Sequence, residues 1–141
     1  MTVLHRFALK QPVASDVSRL NEWLDDVFKA AALHERLSAD LKLCINEVIA
    51  NLISYGFIDT LSPAVTIILD ISQDSVRAVI EDNGCYFDMR EWPSPERPKD
   101  LATARVGGFG IELVRERASE LRYERDGNKN RLTIVCLKHA G

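Results

Sequence analysis

A segment that is apolar on nearly every side of a helix is the feature that most restricts the fold of this chain. From Leu41 to Phe57 the sequence reads LKLCINEVIANLISYGF, with apolar residues at most positions around the helical turn. A helix that is apolar almost all round is expected to be largely buried. The flanking residues predict a cap at Ser38 and an end near Gly56.

Two polar side chains, Glu47 and Asn51, interrupt this apolar helix. Residues four apart lie within about 40° of each other around a helix axis, so both side chains share one side. A buried carboxylate is costly unless it is paired or solvated. The pair is therefore either an exposed stripe in which Glu47 hydrogen-bonds Asn51, or a cleft wall with a proton acceptor and an oxygen ligand for a hard cation.

A second polar group stands at the end of a predicted strand. The strand Val76–Glu81 runs directly into Asp82-Asn-Gly84, a sequence that an ordinary β-turn would explain. The functional alternative is that a carboxylate fixed at a strand end accepts a hydrogen bond from an exocyclic amine, such as that of adenine. The glycine beside it would let a ring approach the backbone closely.

A glycine-rich loop precedes the last predicted helix. Gly107-Gly108-Phe109-Gly110 leads directly into the segment 111–121. Successive N–H groups in such a loop, together with the helix N-terminus, can bind an anion. A flexible hinge is the alternative. Neither the Walker-A sequence nor the Rossmann fingerprint is present.

The remaining pattern predicts strands at both ends of the chain and one further helix. These elements are a strand Val3–Leu9, a helix capped by Ser15, a hairpin Val65–Ile71 with Val76–Glu81, and a terminal hairpin Leu121–Arg125 with Arg131–Lys138. The proline-rich stretch 90–101 predicts a surface loop. This order predicts an α/β fold, specifically an α+β two-layer sandwich in which one mixed β-sheet is covered on one face by helices.

Composition narrows the class of protein further. A chain of 141 residues predicts a single domain over 1–141, and a net charge of −3 gives no basic surface for direct nucleic-acid binding. Cys44, Cys85 and Cys136 are scattered, which indicates a reducing compartment rather than disulfides or a zinc site. With no signal sequence and no apolar run long enough for a membrane span, we expect a soluble, cytoplasmic protein.

Taken in order, the three polar motifs resemble the N, G1 and G2 boxes of the Bergerat-fold ATPases, the superfamily of gyrase, histidine kinases and mismatch-repair ATPases. The phrases INEVIANLISYGF, EDNGCYFDM and GGFGIELVRE are most similar to the anti-sigma-factor serine/threonine kinases of bacterial partner-switching systems. The resemblance extends from about Leu4 to Lys138. The chain departs from the common pattern at Tyr55, where relatives often have His, and at Tyr86, where many have a second glycine.

The resemblance implies a role for each matched position. Glu47 would be the general base that activates the attacking hydroxyl, and Asn51 would be the Mg²⁺ ligand. Asp82 would receive the amino group of the adenine of ATP, with Gly84 against the ring. Thr133 on the last strand would be a further candidate for the adenine end, through a water molecule.

The phosphate end of the site is implied in the same way. The loop Gly107-Gly108-Phe109-Gly110 would bind the phosphates of ATP through glycine amides, with Arg105 as a cation from the lid.

The resemblance also implies an activity and partners. The chain would be an ATP-dependent serine/threonine protein kinase that sequesters an alternative sigma factor and phosphorylates a serine of an anti-anti-sigma (antagonist) protein, acting as a homodimer. One alternative is a switch kinase of the same branch that phosphorylates a scaffold protein and binds no sigma factor. Another is a binding module for which ATP is only a structural ligand, although Glu47 favours catalysis. A fold of this type without any nucleotide is a third.

Overall fold

The computed structural model describes residues 2–86, 88, 90 and 110–138. Five strands and three α-helices follow one another in the predicted order. They are β1 Val3–Lys10, α1 Val17–Ala30, α2 Glu35–Asn51, β2 Ala64–Ile71, β3 Ser75–Asp82, α3 Gly110–Arg117, β4 Glu120–Asp126 and β5 Lys129–Leu137. The predicted surface loop between β3 and α3 lies almost entirely outside the described residues.

The five strands form one sheet in the order β1-β2-β3-β5-β4. The register places Val65 of β2 opposite Asp82 of β3, and Asp82 opposite Asn130 of β5. Asp126 and Lys129 pair at the end of the terminal hairpin, so its turn contains only two residues. Gly127, at the first position of that turn, has a φ of +62°, which glycine adopts without strain.

The sheet is antiparallel at every described pair of neighbours, so the prediction of a mixed sheet is wrong in this respect. Two α-helices, rather than one, connect β1 to β2, and the chain comes back along the sheet so that β2 is antiparallel to β1. Strand β4 does run in the same direction as β3, because both are antiparallel to β5. However, β5 lies between these two strands, so the two parallel strands never become neighbours.

Helices cover one face of the sheet, as predicted. Alternate residues of β2 are buried, among them Ile67 and Leu69, while the residues between them are only half-buried. The helices supply the facing apolar side chains, including Leu24 of α1 and Ile45 of α2, both of which are 0% exposed. This one-sided core accounts for the predicted helical spacing of α1, whereas α2 is not covered all round, since its Leu43 is 46% exposed.

The starts of the first two helices differ from the predicted caps. A 3₁₀ turn, Ala14–Asp16, precedes α1, and Asp16 accepts a hydrogen bond from the Val13 amide at 2.9 Å. Helix α2 begins at Glu35 rather than after Ser38, because His34 acts as its N-cap and its Nδ1 accepts from the Arg36 amide at 3.1 Å. Histidine is outside the residue types usually preferred at that position, which explains the missed start.

Helix α2 ends in a wider turn of helix. After Asn51 the backbone forms a π turn, Leu52–Gly56, in place of a further α-helical turn. Turns of this kind hold one extra residue and occur often at functional sites. No helix among the described residues is long and apolar enough to span a membrane.

Candidate functional site

Glu47 and Asn51 lie together on the buried side of α2. Their side chains are only 5% and 2% exposed, and Asn51 Nδ2 donates to Glu47 Oε1 at 3.4 Å. The pair is therefore hydrogen-bonded, but it does not form an exposed stripe. A buried acid and amide on an otherwise apolar helix are the arrangement that the cleft interpretation requires.

Asp82 is held at the end of β3, on the face of the sheet that the helices cover. Its Oδ1 accepts hydrogen bonds from the Gly84 amide at 2.8 Å and from Asn130 Nδ2 at 2.9 Å. Burial raises the pKa of Asp82 above its usual value, while the Asn130 and Gly84 donors and the Arg125 charge act in the opposite direction. A carboxylate fixed in this way is a preorganised hydrogen-bond acceptor.

The end of α2 and the turn after β3 are in direct backbone contact. The Cys85 amide donates to the Gly56 carbonyl at 3.0 Å. A Cβ on Gly84 would lie 2.4 Å from that same carbonyl oxygen, so only glycine fits there. This contact brings the helix that carries Glu47 and Asn51 against the turn that follows Asp82.

The β4–β5 hairpin supplies a polar network that the sequence motifs do not reveal. Asn130, which is 3% exposed, donates from Nδ2 to Asp82 Oδ1 and to the Cys85 carbonyl at 2.8 Å. Its Oδ1 accepts from Arg125 Nη1 at 3.1 Å and from the Tyr123 hydroxyl. Arg125 Nη1 also donates to the Gly84 carbonyl at 2.8 Å.

A signal for this network is present in the strand pattern. Asn130 alternates with Leu132, Ile134 and Cys136, so it is the one polar residue on the buried side of β5. The predicted hairpin places the whole sequence DGNKN in its turn, which hides that position. A buried amide on a core-facing strand position indicates a specific hydrogen-bonding partner.

A second set of contacts connects α3 to the same hairpin. Asp88 and Arg90 form an ion pair. Burial alone would raise the pKa of the Asp88 carboxyl, but the contacts with Arg90 outweigh it, so the pKa is lowered. The Arg90 guanidinium lies 5.9 Å from the centroid of the Tyr123 ring, and Arg115 of α3 donates to the Arg90 carbonyl. Tyr86 packs edge-on against Tyr123, with ring centroids 5.5 Å apart.

The structure brings some of the predicted site residues together and leaves others apart. Gly110 is the first residue of α3. Thr133 is 8% exposed, but it lies three residues beyond Asn130 on β5 and opposite Val79, on the other face of the sheet from Asp82. The structure therefore does not bring Thr133 to the site. The remaining predicted residues, Arg105, Gly107, Gly108 and Phe109, lie outside the described residues.

The described residues supply few possible ligands for a metal ion. They contain no cluster of three or more His, Cys, Asp or Glu side chains that could hold a metal. Asn51 does offer a carboxamide whose nitrogen donates to Glu47, and its oxygen is a hard ligand. Mg²⁺ accepts few protein ligands, because water and substrate phosphates complete its shell.

These observations first define a class of protein. A sheet covered on one face by helices, a buried acid and amide on one of those helices, and an aspartate at a strand end beside a glycine together are typical of the Bergerat-type ATP-binding fold. The chain belongs to the histidine kinase-like ATPase domain family, whose model matches residues 11–136.

Proteins with similar sequences include serine kinases. The serine/threonine-protein kinase BtrW of Bordetella bronchiseptica is 30% identical over 113 residues, which cover 80% of each chain. The serine-protein kinase RsbW of Listeria innocua is 25% identical over 120 residues, 81% of this chain and 76% of the relative. A second RsbW, from Oceanobacillus iheyensis, is 30% identical over 79 residues, 53% of this chain and 50% of the relative.

Solved structures share the fold at lower identity. The histidine kinase domain of the blue-light activated kinase of Erythrobacter litoralis EL346 has a TM-score of 0.57 and 18% identity, and the match covers 88% of this chain and 60% of that one. The histidine kinase AdeS of Acinetobacter baumannii has a TM-score of 0.51 and 14% identity, over 97% of this chain and 69% of that one.

Proposed function

We propose that this chain is an ATP-dependent serine/threonine protein kinase and an anti-sigma factor of a partner-switching system. The observation that carries the proposal is the buried pair Glu47 and Asn51, 5% and 2% exposed, on a helix whose end contacts the turn after Asp82. Buried polar groups of this kind are costly to fold around and cluster at functional sites. The similarity to BtrW over four-fifths of the chain supports the same chemistry.

The base of ATP would bind against β3. Asp82 Oδ1 already accepts two hydrogen bonds, so Oδ2 is the oxygen that would accept the adenine amino group. Gly84 has no side chain to obstruct the ring. The phosphates would lie at the start of α3, where the Gly107–Gly110 amides and the helix N-terminus favour an anion, with Arg105 as a lid cation.

Mg²⁺ would be held by the carboxamide oxygen of Asn51 together with the phosphates. When bound, it would neutralise charge on the phosphates. Because Asn51 Nδ2 donates to Glu47, the amide is oriented with its oxygen directed elsewhere, which suits a metal ligand.

Glu47 would act as the general base. Its carboxylate would take the proton from a serine hydroxyl of the partner while the serine oxygen attacks the γ-phosphorus. The bond between that phosphorus and the β–γ bridging oxygen would break, and ADP would leave with the electron pair. The buried surroundings would keep water from competing with the serine.

The partners would be those of the family that the motifs resemble. An alternative sigma factor would be held by the chain in a homodimer in the cytoplasm, and an anti-anti-sigma antagonist would supply the phosphorylated serine. Phosphorylation would release the antagonist, so that the chain returns to the sigma factor.

Transfer of labelled phosphate tests the kinase activity. The purified chain is incubated with γ-labelled ATP, Mg²⁺ and an antagonist protein captured from the native cell. We expect the label on a serine of the antagonist, where it survives acid treatment. ATP binding without transfer would contradict the kinase assignment, and an acid-labile label would indicate phosphohistidine instead.

A binding measurement tests the anti-sigma assignment separately. We expect the chain to form a complex with an alternative sigma factor on gel filtration and to release it when unphosphorylated antagonist is added. If the antagonist is phosphorylated but no sigma factor binds, the switch-kinase alternative is correct and the kinase assignment stands.

A further inference from the structure

Asn130 occupies the centre of the polar network around Asp82, and its amide can have only one orientation. Arg125 Nη1, 3.1 Å from one terminal atom of the amide, can only donate, so that atom must be the oxygen. The nitrogen therefore points toward Asp82 Oδ1, 2.9 Å away, and toward the Cys85 carbonyl, 2.8 Å away. Arg125 thus fixes Asn130 as a donor to Asp82.

This donor determines which oxygen of Asp82 is available. Oδ1 receives Asn130 Nδ2 and the Gly84 amide, so it cannot also carry a proton. Any proton on the carboxyl group must be on Oδ2, the oxygen for which the described residues supply no donor. Asp82 with a proton on Oδ2 would offer a donor to the base, whereas ionised Asp82 offers an acceptor.

Burial and the neighbouring donors act on the protonation of Asp82 in opposite directions. Burial raises the pKa of Asp82, and the Asn130 donor is the foremost of the contacts that lower it, followed by the Gly84 amide and the Arg125 charge. Among the described residues, Arg125 of β4 is the one whose charge acts on Asp82. An adenine amino group requires the acceptor, so the proton state of Asp82 controls recognition of the base.

We propose that Asn130 is a positioning residue for base recognition, which holds the Asp82 carboxylate in one orientation so that Oδ2 accepts the adenine amino group. The proposal rests on the proposed binding of ATP at Asp82. It goes beyond that function because it assigns selection of a 6-amino purine over a 6-oxo purine to a residue of the β4–β5 hairpin.

The substitution Asn130→Asp provides the sharpest test, because it should reverse the direction in which ATP affinity changes with pH. In the wild type, we expect ATP affinity to fall as pH is lowered, because Oδ2 takes up a proton. In Asn130→Asp two facing carboxylates share one proton, which can replace the missing amide donor. Its affinity should therefore fall as pH is raised, by up to about tenfold per pH unit for one linked proton. Calorimetric titration with ATP between acid and mildly alkaline pH measures both slopes.

A second variant covers the case in which Asn130→Asp does not fold. Asn130→Ser keeps a small polar side chain but cannot reach Asp82 and Cys85 together. We expect ATP affinity to fall about tenfold or more, and the preference for ATP over inosine triphosphate to collapse to within about twofold. Arg131→Gln is the matched control: it changes the next residue of β5, which pairs with Glu81 on the opposite face, and should leave the preference intact.

The outcomes separate this inference from the proposed function. If the wild type binds no ATP, the proposed function fails and this inference fails with it. If the wild type binds ATP but Asn130→Asp keeps the wild-type slope, the inference alone is overturned. The same follows if Asn130→Ser loses affinity for both nucleotides equally, since a merely structural residue would behave in that way.

Discussion

Buried polar side chains are concentrated where the end of α2 meets the end of β3. Glu47, Asn51, Asp82 and Asn130 are each at most 8% exposed, and each has at least one hydrogen-bonding partner. Leaving such a group unpaired costs about 1–3 kcal/mol, so the fold must supply partners for all four. Such a concentration is expected at a functional site and difficult to explain in an ordinary core.

Replacing Asp82 by Asn should weaken ATP binding while keeping the hydrogen bonds that hold this side chain in the fold. The new Oδ1 can accept from Gly84 and Asn130 as before, while its NH₂ group replaces the acceptor that the adenine amine needs. ATP affinity should fall by about 1.5–3 kcal/mol, or roughly tenfold to a hundredfold in Kd. Calorimetric titration measures the loss, and the exposed Asp74→Asn serves as the control.

The same substitution should change how stability depends on pH. Burial raises the pKa of Asp82 in the folded protein above that in the unfolded chain. Protonation of Asp82 therefore stabilises the fold. This stabilisation is complete at pH values below the unfolded-state pKa and is lost as pH rises through the folded-state pKa. Asp82→Asn should therefore have a higher melting temperature than the wild type near neutral pH, and the difference should shrink in acid. A difference that grew in acid would contradict the direction of the shift.

Replacing Glu47 by Gln tests the assigned base without changing the shape of the side chain. The glutamine side chain keeps an oxygen for the Asn51 amide, so ATP binding should change by less than about threefold. Transfer to the antagonist should slow by about 10²–10⁴-fold, the usual contribution of a general base. Single-turnover transfer of labelled phosphate measures the rate, with the exposed Glu116→Gln as control. A normal rate would remove Glu47 from the mechanism.

At the scale of elements, the sequence is not sufficient for the 3₁₀ and π turns, but it is sufficient for the order and type of the five strands and three α-helices that the structure describes. Apolar periodicity determines these, since each element must bury one face. The direction of neighbouring strands and the first residues of the helices are not predictable in the same way. They depend on β5 inserting beside β3, and on a histidine ring acting as the cap of α2.

The candidate site can be predicted only in part for a related reason. Glu47, Asn51 and Asp82 are conspicuous, because a charged or amide side chain interrupts an apolar run or ends a strand. Asn130 is not conspicuous, because its importance arises only when β5 is placed beside β3 in this register. Thr133 is assigned to the adenine end by resemblance alone, and the alternation of β5 sends it to the opposite face.

The contact between the end of α2 and the turn after β3 should not tolerate a larger residue. In Gly84→Ala the new Cβ would lie 2.4 Å from the Gly56 carbonyl oxygen, and that backbone is itself held by the Cys85 amide. We expect a loss of about 1–3 kcal/mol in unfolding free energy and weaker ATP binding, because Asp82 and Asn51 would be displaced relative to each other. Denaturant titration measures the loss.

A glycine elsewhere in the chain supplies the comparison. A Cβ added to Gly127 would have nothing within 4 Å, and its φ of +62° is one that asparagine tolerates, so Gly127→Asn should cost only a few tenths of a kcal/mol. If Gly84→Ala proved as mild as this control, the two segments would not be in close contact.

For the molecule as a whole, the single core between helices and sheet divides the three cysteines into two groups. Cys44 and Cys136 are each 4% exposed, and burial is the main cause that raises the pKa of the Cys44 thiol to about 12, whereas Cys85 is exposed. A thiol reagent should therefore label Cys85 rapidly and the other two only as fast as the core opens. Mass spectrometry over time measures this, and Cys85→Ser should abolish the rapid phase.

The π turn at the end of α2 also has a consequence for how this chain can change in length. Since Leu52–Gly56 contains one residue more than an α-helical turn, removing a single residue there would let the helix continue regularly. The wider turn takes up the extra residue within its own length, so the chain after it would keep its present orientation and the Gly56 carbonyl could still face the Cys85 amide. One-residue deletions in this segment should therefore cost less stability than deletions within the regular helix Glu35–Asn51, where every following position would rotate by about 100° around the axis.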